Sequence, residues 1–431
     1  MASRSEYQNS TDSIDSHGLG RVRFARREFL RFLAGSPLLL SSAPAAAAER
    51  LMAAVAQEGE VALETEQLAS AADAINVFDF EAVAKRNLLP SHYTYLSMGV
   101  QDEFTLRANR EAFGQVQLRP RRLVDVRELN TSTEILGTKL SCPIILAPAG
   151  SLKAFHAEGE LAVARAAKRE DHLQILSTGT STRIQEVAEA RGAPIWFQLY
   201  TSRQWPLSLL QLREAEETGS PVVVLTVDQM GLGRNRDSLH RYRRRQNPEC
   251  QGCHQSLGEK IQRGTDALGI DLRDWIQDAM ILDWEVVDRI RNETSMKLVI
   301  KGILTHEDAR LCVEHGVDGI VVSNHGGRAE DSGLASIAAL PEIVSAVGGR
   351  IPILVDSGFR RGTDIFKAVA LGASAVCIGR PYLWGLAAFG QDGVEAVLAI
   401  LRRELETIMT EMGTPSLATI TPAHVHAADS K

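Results

Sequence analysis

Residues 319–328 read Gly319-Ile320-Val321-Val322-Ser323-Asn324-His325-Gly326-Gly327-Arg328. A short apolar run rich in β-branched residues passes directly into polar residues and a glycine turn. This pattern is typical of a buried strand that ends in a tight loop. We therefore predict a strand over 319–324, with His325 and Arg328 presented at its carboxyl end.

Seven more runs of this kind occur along the chain, each followed by a segment of helical period. Alternating β-rich runs and helical segments are typical of a parallel sheet. Eight strand–helix units predict an α/β fold, a closed (β/α)8 TIM barrel preceded by an N-terminal helical segment. The predicted strands are 144–147, 174–177, 195–200, 222–228, 298–301, 319–324, 353–356 and 375–379.

The interval between the fourth and fifth predicted strands is much longer than one loop, one helix and one loop require. It predicts an insertion after strand 4, at about 230–280. The barrel domain as a whole is expected over 76–431, and the alanine- and glutamate-rich segment 49–75 is expected to be a linker.

The N-terminal segment resembles an export signal. Residues 25–31 read Ala25-Arg26-Arg27-Glu28-Phe29-Leu30-Arg31 and precede an apolar stretch and an alanine run. We predict a twin-arginine signal over 1–48 and a periplasmic or otherwise exported protein, with a cytoplasmic location as the alternative. The apolar stretch contains Gly35 and Pro37 and is too short to span a bilayer, so no permanent transmembrane span is expected.

Composition favours a small-molecule enzyme. With 431 residues and 44% hydrophobic side chains, the chain can bury a large core. Its net charge of -7 argues against a nucleic-acid partner, because phosphate binding requires a basic surface.

Polar residues end the predicted strands. In a TIM barrel the active site lies at the carboxyl ends of the strands, so we expect these residues to form it. A single histidine at a strand end would more often be structural, but reactive polar residues end the other predicted strands as well. A Rossmann dinucleotide site is not expected, because no Gly-x-Gly-x-x-Gly turn is present. The strand-end residues are Ser177, Thr178, Gln198, Tyr200, Thr226, Asp228, Lys301, His325, Arg328, Asp356, Arg360 and Arg380.

Four motifs carry a family resemblance: Lys301-Gly302-Ile303-Leu304-Thr305, the 323–328 run, residues 356–364 from Asp356-Ser357-Gly358 to Asp364, and Gly379-Arg380-Pro381. From about Asn76 to about Ile420 the sequence resembles the FMN-dependent L-2-hydroxy acid oxidases and dehydrogenases, which include glycolate oxidase, lactate oxidase, mandelate dehydrogenase and flavocytochrome b2. The resemblance implies that FMN is the cofactor. It also implies oxidation of an L-2-hydroxy acid to the 2-keto acid, with a quinone, a cytochrome or O2 as the final acceptor.

This reaction needs a base, a cationic clamp for the carboxylate and an acceptor for two electrons, which protein side chains do not offer. By resemblance His325 is the base, Asp228 holds its imidazole, and Tyr200 lies near the substrate hydroxyl. Arg328 and Tyr95 are implied to bind the carboxylate, since arginine's planar fork suits this group.

The resemblance also implies a flavin site. Lys301 is expected beside the pyrimidine edge, where a fixed positive charge stabilises reduced flavin. The loops after strands 7 and 8 are expected to bind the phosphate. The implied cofactor residues are Ala147, Pro148, Ala149, Ser177, Gln198, Thr226, Lys301, Ser323, Asp356, Gly358, Arg360, Gly379 and Arg380, and no metal ligand is assigned.

A second clamp arginine is expected after Asp228, where the stretch 233–237 is one residue shorter than the family pattern. A gapped alignment favours Arg234; Asn235 and Arg236 are the alternatives. This departure motivates a second hypothesis, an FMN-binding barrel without turnover that serves as a binding or electron-relay module.

Gly150 and Gly179 occupy positions where family members often carry larger side chains, which predicts a roomy substrate pocket. Gly150 also resembles the mandelate dehydrogenases, and together with export this favours a dehydrogenase that passes electrons to a quinone or cytochrome. By resemblance a homotetramer is expected.

The insertion contains Cys250-Gln251-Gly252-Cys253-His254, which fits the Cys-x-x-Cys-His pattern of c-type haem attachment. The insertion is too short for a usual cytochrome domain, and haem attachment to an unfolded chain conflicts with folded twin-arginine transport. A short-loop disulfide, or a metal site completed by outside ligands, is favoured.

Overall fold

The computed structural model describes residues 68–202, 205–228, 236–238 and 282–427. The predicted signal at 1–48, most of the predicted linker and nearly all of the predicted insertion lie outside these residues. The same holds for Arg234 and Asn235, and for Cys250, Cys253 and His254. Predictions that concern them stay predictions.

A closed barrel of eight parallel strands forms the body of the described chain, which confirms the predicted fold class. Neighbouring strands follow sequence order, and the barrel closes where Ile378 of the last strand pairs with Leu146 of the first. The barrel strands are β4 (Ile144–Leu146), β5 (Leu173–Ser177), β6 (Trp196–Leu199), β7 (Val222–Thr226), β8 (Lys297–Ile303), β9 (Gly319–Val322), β10 (Ile353–Val355) and β11 (Ala375–Ile378).

Strands β6 and β7 end earlier than predicted, and β8 ends later. Tyr200 and Asp228 lie just beyond β6 and β7. In contrast, β8 continues past Lys301 to Ile303 through a register shift. Gly302 permits that shift, because its φ is +115° and a Cβ there would lie 2.8 Å from the Cβ of Asp228. The irregularity therefore brings the Asp228 carboxylate against the backbone of β8.

Helices surround the barrel, and the first three confirm the predicted N-terminal helical segment. Most of the others connect successive barrel strands in the expected alternation. The described helices are α1 (Asp79–Asn87), α2 (Pro90–Ser97), α3 (Phe104–Glu111), α4 (Gly159–Arg169), α5 (Ile184–Arg191), α6 (Trp205–Glu217), α7 (Trp284–Glu293), α8 (His306–Glu314), α9 (Ser336–Val347), α10 (Gly362–Ala370) and α11 (Arg380–Met412).

Four short strands lie outside the barrel. β1 (Val116–Leu118) pairs with β12 (Val425–Ala427), and β2 (Thr133–Ile135) pairs with β3 (Thr138–Leu140). The β2–β3 hairpin packs Ile135 and Leu140 against the side chains inside the barrel. Trp196 of β6 donates its indole N–H to Thr138 at 3.0 Å. The hairpin thus covers one end of the barrel interior.

Helix α11 is, among the described residues, the one helix long and apolar enough to cross a membrane. Its most apolar stretch is 67% buried within the protein. The backbone leaves helical geometry at Phe389 and Gly390, and Asn87 donates to the carbonyls of Ala387 and Ala388 there. The apolar surface of α11 is therefore part of the packed core.

Candidate active site

A cavity of about 360 Å³ opens where the barrel strands end. Its lining brings together most of the residues that the sequence assigned to the site. These are Tyr95, Ala147, Pro148, Ala149, Gly150, Ser177, Gly179, Tyr200, Lys301, His325, Arg328, Asp356, Gly358, Arg360, Gly379 and Arg380.

Asp228, Gln198, Thr226 and Ser323 do not line the cavity. Three of them contact lining residues: Asp228 bonds His325, Gln198 bonds Ser177, and Ser323 bonds Lys301. Thr226 pairs with Lys301 in the sheet. They form a supporting layer beneath the lining residues.

His325 is held by a carboxylate on one side. Its Nδ1 lies 2.8 Å from Oδ1 of Asp228, and its Nε2 lies 3.4 Å from the hydroxyl of Tyr200. Because a carboxylate only accepts hydrogen bonds, Nδ1 carries the proton and Nε2 is the basic atom. Burial lowers the pKa of His325, and Asp228 opposes that shift. The imidazole is therefore neutral near pH 7, as a general base must be.

The backbone around His325 explains the glycines that follow it. His325, Gly326 and Gly327 have φ values of +58°, +70° and +72°. A Cβ at Gly327 would lie 2.6 Å from the backbone nitrogen of Leu106 in α3. Only glycine combines this conformation with so close an approach. The turn thereby returns the chain so that Arg328 reaches the same cavity as His325.

Lys301 is buried between two carboxylates. Its Nζ lies 3.2 Å from Oδ2 of Asp356 and 3.9 Å from Oδ2 of Asp228, and it donates to Ser323 at 2.7 Å. Burial acts to lower the pKa of Lys301, but Asp356 and Asp228 outweigh it and the net pKa is raised. The site therefore contains a permanent positive charge.

Two arginines, the buried Arg360 and the half-buried Arg380, also line the cavity. Arg360 stacks over Trp384 at 4.6 Å, and Arg380 donates to the carbonyls of Leu96, Met98 and Gly326. In the described part of the chain neither guanidinium forms a salt bridge with a carboxylate. Burial, and then the neighbouring arginines, lower the pKa of both groups. Cations that are withdrawn from solvent and lack a carboxylate ion-pair partner favour a bound anion.

The layer beneath the cavity lining offers unused polar atoms. Gln198 accepts a hydrogen bond from Ser177 at 3.0 Å, while its Nε2 has no protein partner among the described residues. Oγ1 of Thr226 is likewise buried and unpaired within that part of the chain. Buried polar atoms are rarely left unsatisfied, so a polar ligand edge fits here. Gln198 and Thr226 are among the residues that the family resemblance assigns to the flavin.

The cavity lining also carries cationic groups that suit a carboxylate. Arg328 and Arg236 lie over the ring of Tyr95, with guanidinium-to-centroid distances of 4.6 and 5.8 Å. Arg328 also donates to the carbonyls of Tyr95 and Met98. Of the three alternatives for the second clamp residue, Arg236 is the one within the described residues, and it lines the cavity.

Sequence reasoning missed some residues of the site. Ser357 lines the cavity with a φ of +78° and bonds Asp356 and Gly326. Its place inside the 356–364 motif was the available signal. Phe155 also lines the cavity and stacks with Tyr95 at 6.5 Å, which no periodicity indicated. Among the described residues no His, Cys, Asp and Glu cluster suited to a metal occurs.

The barrel, the histidine–carboxylate pair and the buried cations define a cofactor-dependent barrel oxidoreductase. A sequence model described as FMN-dependent dehydrogenase matches residues 84–427. The chain belongs to this family, and its cofactor is FMN. The unpaired Gln198 and Thr226 atoms and the cationic Arg360 and Arg380 are groups that fit a flavin ring and its phosphate.

Similar proteins cover most of the chain. It is 39% identical over 359 residues to a peroxisomal (S)-2-hydroxyacid oxidase of Arabidopsis thaliana, covering 83% of this chain and 98% of the relative. It is 41% identical over 358 residues to glycolate oxidase of Spinacia oleracea, covering 82% and 95%. A solved structure of mandelate oxidase with benzoyl-formic acid superposes with a TM-score of 0.71 at 37% identity, covering 82% and 98%.

Proposed function

We propose that this protein oxidises a 2-hydroxy acid with a bulky side chain to the corresponding 2-keto acid. The observation that carries the proposal is the convergence of the His325–Asp228 pair with Arg328, Arg236 and Tyr95 on one cavity. A base and a carboxylate clamp therefore face the same substrate-sized space.

Each side chain has a defined task. Nε2 of His325 accepts the substrate proton, and Asp228 stabilises the resulting imidazolium. Arg328, with Arg236 or Arg234, binds the carboxylate together with Tyr95, and this fixes the carbon that is oxidised near His325. Bound FMN supplies the acceptor for two electrons.

Substrate size is argued from two glycines. Gly150 and Gly179 line the cavity, and a Cβ on Gly150 would lie 3.1 Å from the carbonyl oxygen of Gly179. Neither glycine places a side chain in the cavity, and this supports a substrate larger than lactate. The solved structures of mandelate oxidase, which has an aromatic substrate by name, are similar in fold and sequence.

Anaerobic flavin reduction tests the proposal. We expect (S)-mandelate to bleach the yellow absorbance of the purified holoprotein, with smaller rates for lactate and glycolate. A His325→Gln variant should keep the flavin spectrum and lose the bleaching. If no 2-hydroxy acid reduces the wild-type flavin, the alternative of a binding or electron-relay barrel without turnover replaces this proposal.

For the electron acceptor we propose a quinone or a cytochrome rather than O2, on the basis of Gly150 and the export-type N-terminus. The acceptor can be identified by measuring peroxide formation during aerobic turnover and comparing it with the reduction of a soluble quinone. Peroxide in a one-to-one ratio with product would establish an oxidase instead.

For location we propose export through the twin-arginine segment over 1–48, which precedes the family match that begins at residue 84. Changing Arg26 and Arg27 to lysine together should move the protein from the periplasmic to the cytoplasmic fraction. An unchanged distribution would favour the cytoplasmic alternative.

For assembly we propose a homotetramer. Large apolar side chains such as Ile75, Phe104 and Leu123 are exposed in the single chain, and an interface would cover them. Light scattering on the eluting holoprotein measures the subunit number, and a monomeric mass would contradict the proposal.

A further inference from the structure

Ser357 occupies a backbone conformation that serine rarely adopts. It follows Asp356 in the loop after β10, has a φ of +78° and is 8% exposed. Non-glycine residues in the left-handed region are uncommon and persist where surrounding contacts hold them. Glycine would fit this position without strain, so the contacts of the serine hydroxyl are the feature that distinguishes serine from glycine here.

The hydroxyl of Ser357 makes two hydrogen bonds. It accepts the backbone N–H of Gly326 at 3.0 Å and donates to Oδ1 of Asp356 at 2.7 Å. Gly326 directly follows His325. The hydroxyl therefore joins the loop after β10 to the turn that carries the base.

A second serine makes the matching contact one residue earlier. Oγ of Ser323 accepts the backbone N–H of His325 at 3.0 Å and the Nζ of Lys301 at 2.7 Å. Lys301 in turn lies 3.2 Å from Asp356. Two consecutive N–H groups of a left-handed turn are thus held by two hydroxyls, which are both bonded to the same buried ion pair.

We propose that Ser357 is a positioning residue that couples the Lys301–Asp356 ion pair to the turn bearing His325 and so directs the imidazole toward the substrate. This inference rests on the proposed function, because it assigns the role through His325. Ser357 acts on proton abstraction through this turn, while the cationic Arg360 and Arg380 are the groups that fit the FMN phosphate.

Two substitutions separate the hydroxyl from the backbone. Ser357→Gly removes the hydroxyl and relieves the strained φ, whereas Ser357→Ala removes the hydroxyl and keeps the strain. We expect both variants to lower kcat by about tenfold, the size of one lost hydrogen bond in the transition state, with little change in KM. Urea unfolding should show the glycine variant to be the more stable of the two.

Further readouts distinguish positioning from packing. The kinetic isotope effect with 2-deuterated substrate should rise equally in both variants, and the FMN dissociation constant should stay at the wild-type value. Ser357→Asn, which tolerates a positive φ and restores an acceptor, should recover part of kcat. Wild-type turnover in Ser357→Gly, or activity that follows stability across the variants, overturns the inference.

The proposed function fails separately, when the wild-type holoprotein itself does not turn over. Titration of His325 by NMR then still tests the coupling. A changed midpoint in both Ser357→Gly and Ser357→Ala supports it, and titration curves identical to wild type overturn it.

Discussion

Nδ1 of His325 lies 2.8 Å from Oδ1 of Asp228, although strand β8 separates the two strands that these residues follow. The contact depends on Gly302, which lets the aspartate pack against the backbone of β8. The base is therefore oriented from across an intervening strand.

Replacing Asp228 with asparagine tests this contact. We expect kcat to fall by about 10²–10⁴-fold, because the imidazolium loses its carboxylate. Burial lowers the pKa of His325 and Asp228 raises it. The pKa of His325 should therefore be lower in the variant than in the wild type. The acid limb of kcat/KM, where His325 becomes protonated, should then move to lower pH.

Asp288 provides the control for that experiment, since it contacts His315 at 3.0 Å on the surface. Asp288→Asn should leave both kcat and the pH profile unchanged. An acid limb that moves upward in Asp228→Asn would contradict the electrostatic argument.

Filling the space at Gly179 should change specificity. Gly179→Leu should lower kcat/KM for mandelate by at least about tenfold and change it less for lactate, because added carbons occupy the room for a large side chain. Gly114→Ala is a suitable control, since nothing lies within 4 Å of the added Cβ. Equal losses on both substrates would show that Gly179 does not set substrate size.

The second clamp residue can be identified by a pair of variants. Loss of a charged hydrogen bond to the carboxylate costs about 1.5–3 kcal/mol, or about 10–100-fold in kcat/KM. We expect this loss in Arg236→Met, since Arg236 lines the cavity. Arg234→Met, measured in parallel, tests the residue that the gapped alignment favours. If Arg234→Met alone is impaired, that alignment is right.

Arg360 should determine FMN affinity. Arg360→Gln removes a buried cation, and we expect the FMN dissociation constant to rise by about 10–100-fold. Flavin fluorescence recovered on dilution measures the change. Arg403→Gln, on the exposed side of α11, should have no effect, and an unchanged affinity in Arg360→Gln would exclude this arginine from the phosphate site.

His172 should make stability depend on pH. It is 1% exposed and bonds the carbonyl of Ile144, and burial lowers its pKa to about 4. The stability that depends on its neutral form is complete above the unfolded pKa near 6.5 and is lost as pH falls toward the folded value.

Urea unfolding between pH 7 and pH 4 measures this effect. The wild type should lose about 3 kcal/mol more than His172→Gln across that range. His306→Gln, at a partly exposed site, should retain the wild-type pH dependence. A His172→Gln variant with the same slope as wild type would contradict the prediction.

Much of the site could be predicted because the barrel places successive strand ends in one ring. Once eight strands were recognised, Lys301, His325 and Asp356 had to face one opening. The clamp could not be predicted in the same way, since the 233–237 stretch lies in a long loop whose path no strand period constrains.

The fold class followed from the sequence because strand periodicity and glycine turns are local properties. The FMN cofactor and most lining residues followed from the resemblance of four sequence motifs to a known family. The folded structure was needed to show that Asp228 reaches His325 across β8, that Arg236 lies over Tyr95, and that Ser357 adopts a positive φ. Those features depend on contacts between distant segments, whose geometry is set by packing and hydrogen bonding of the folded chain.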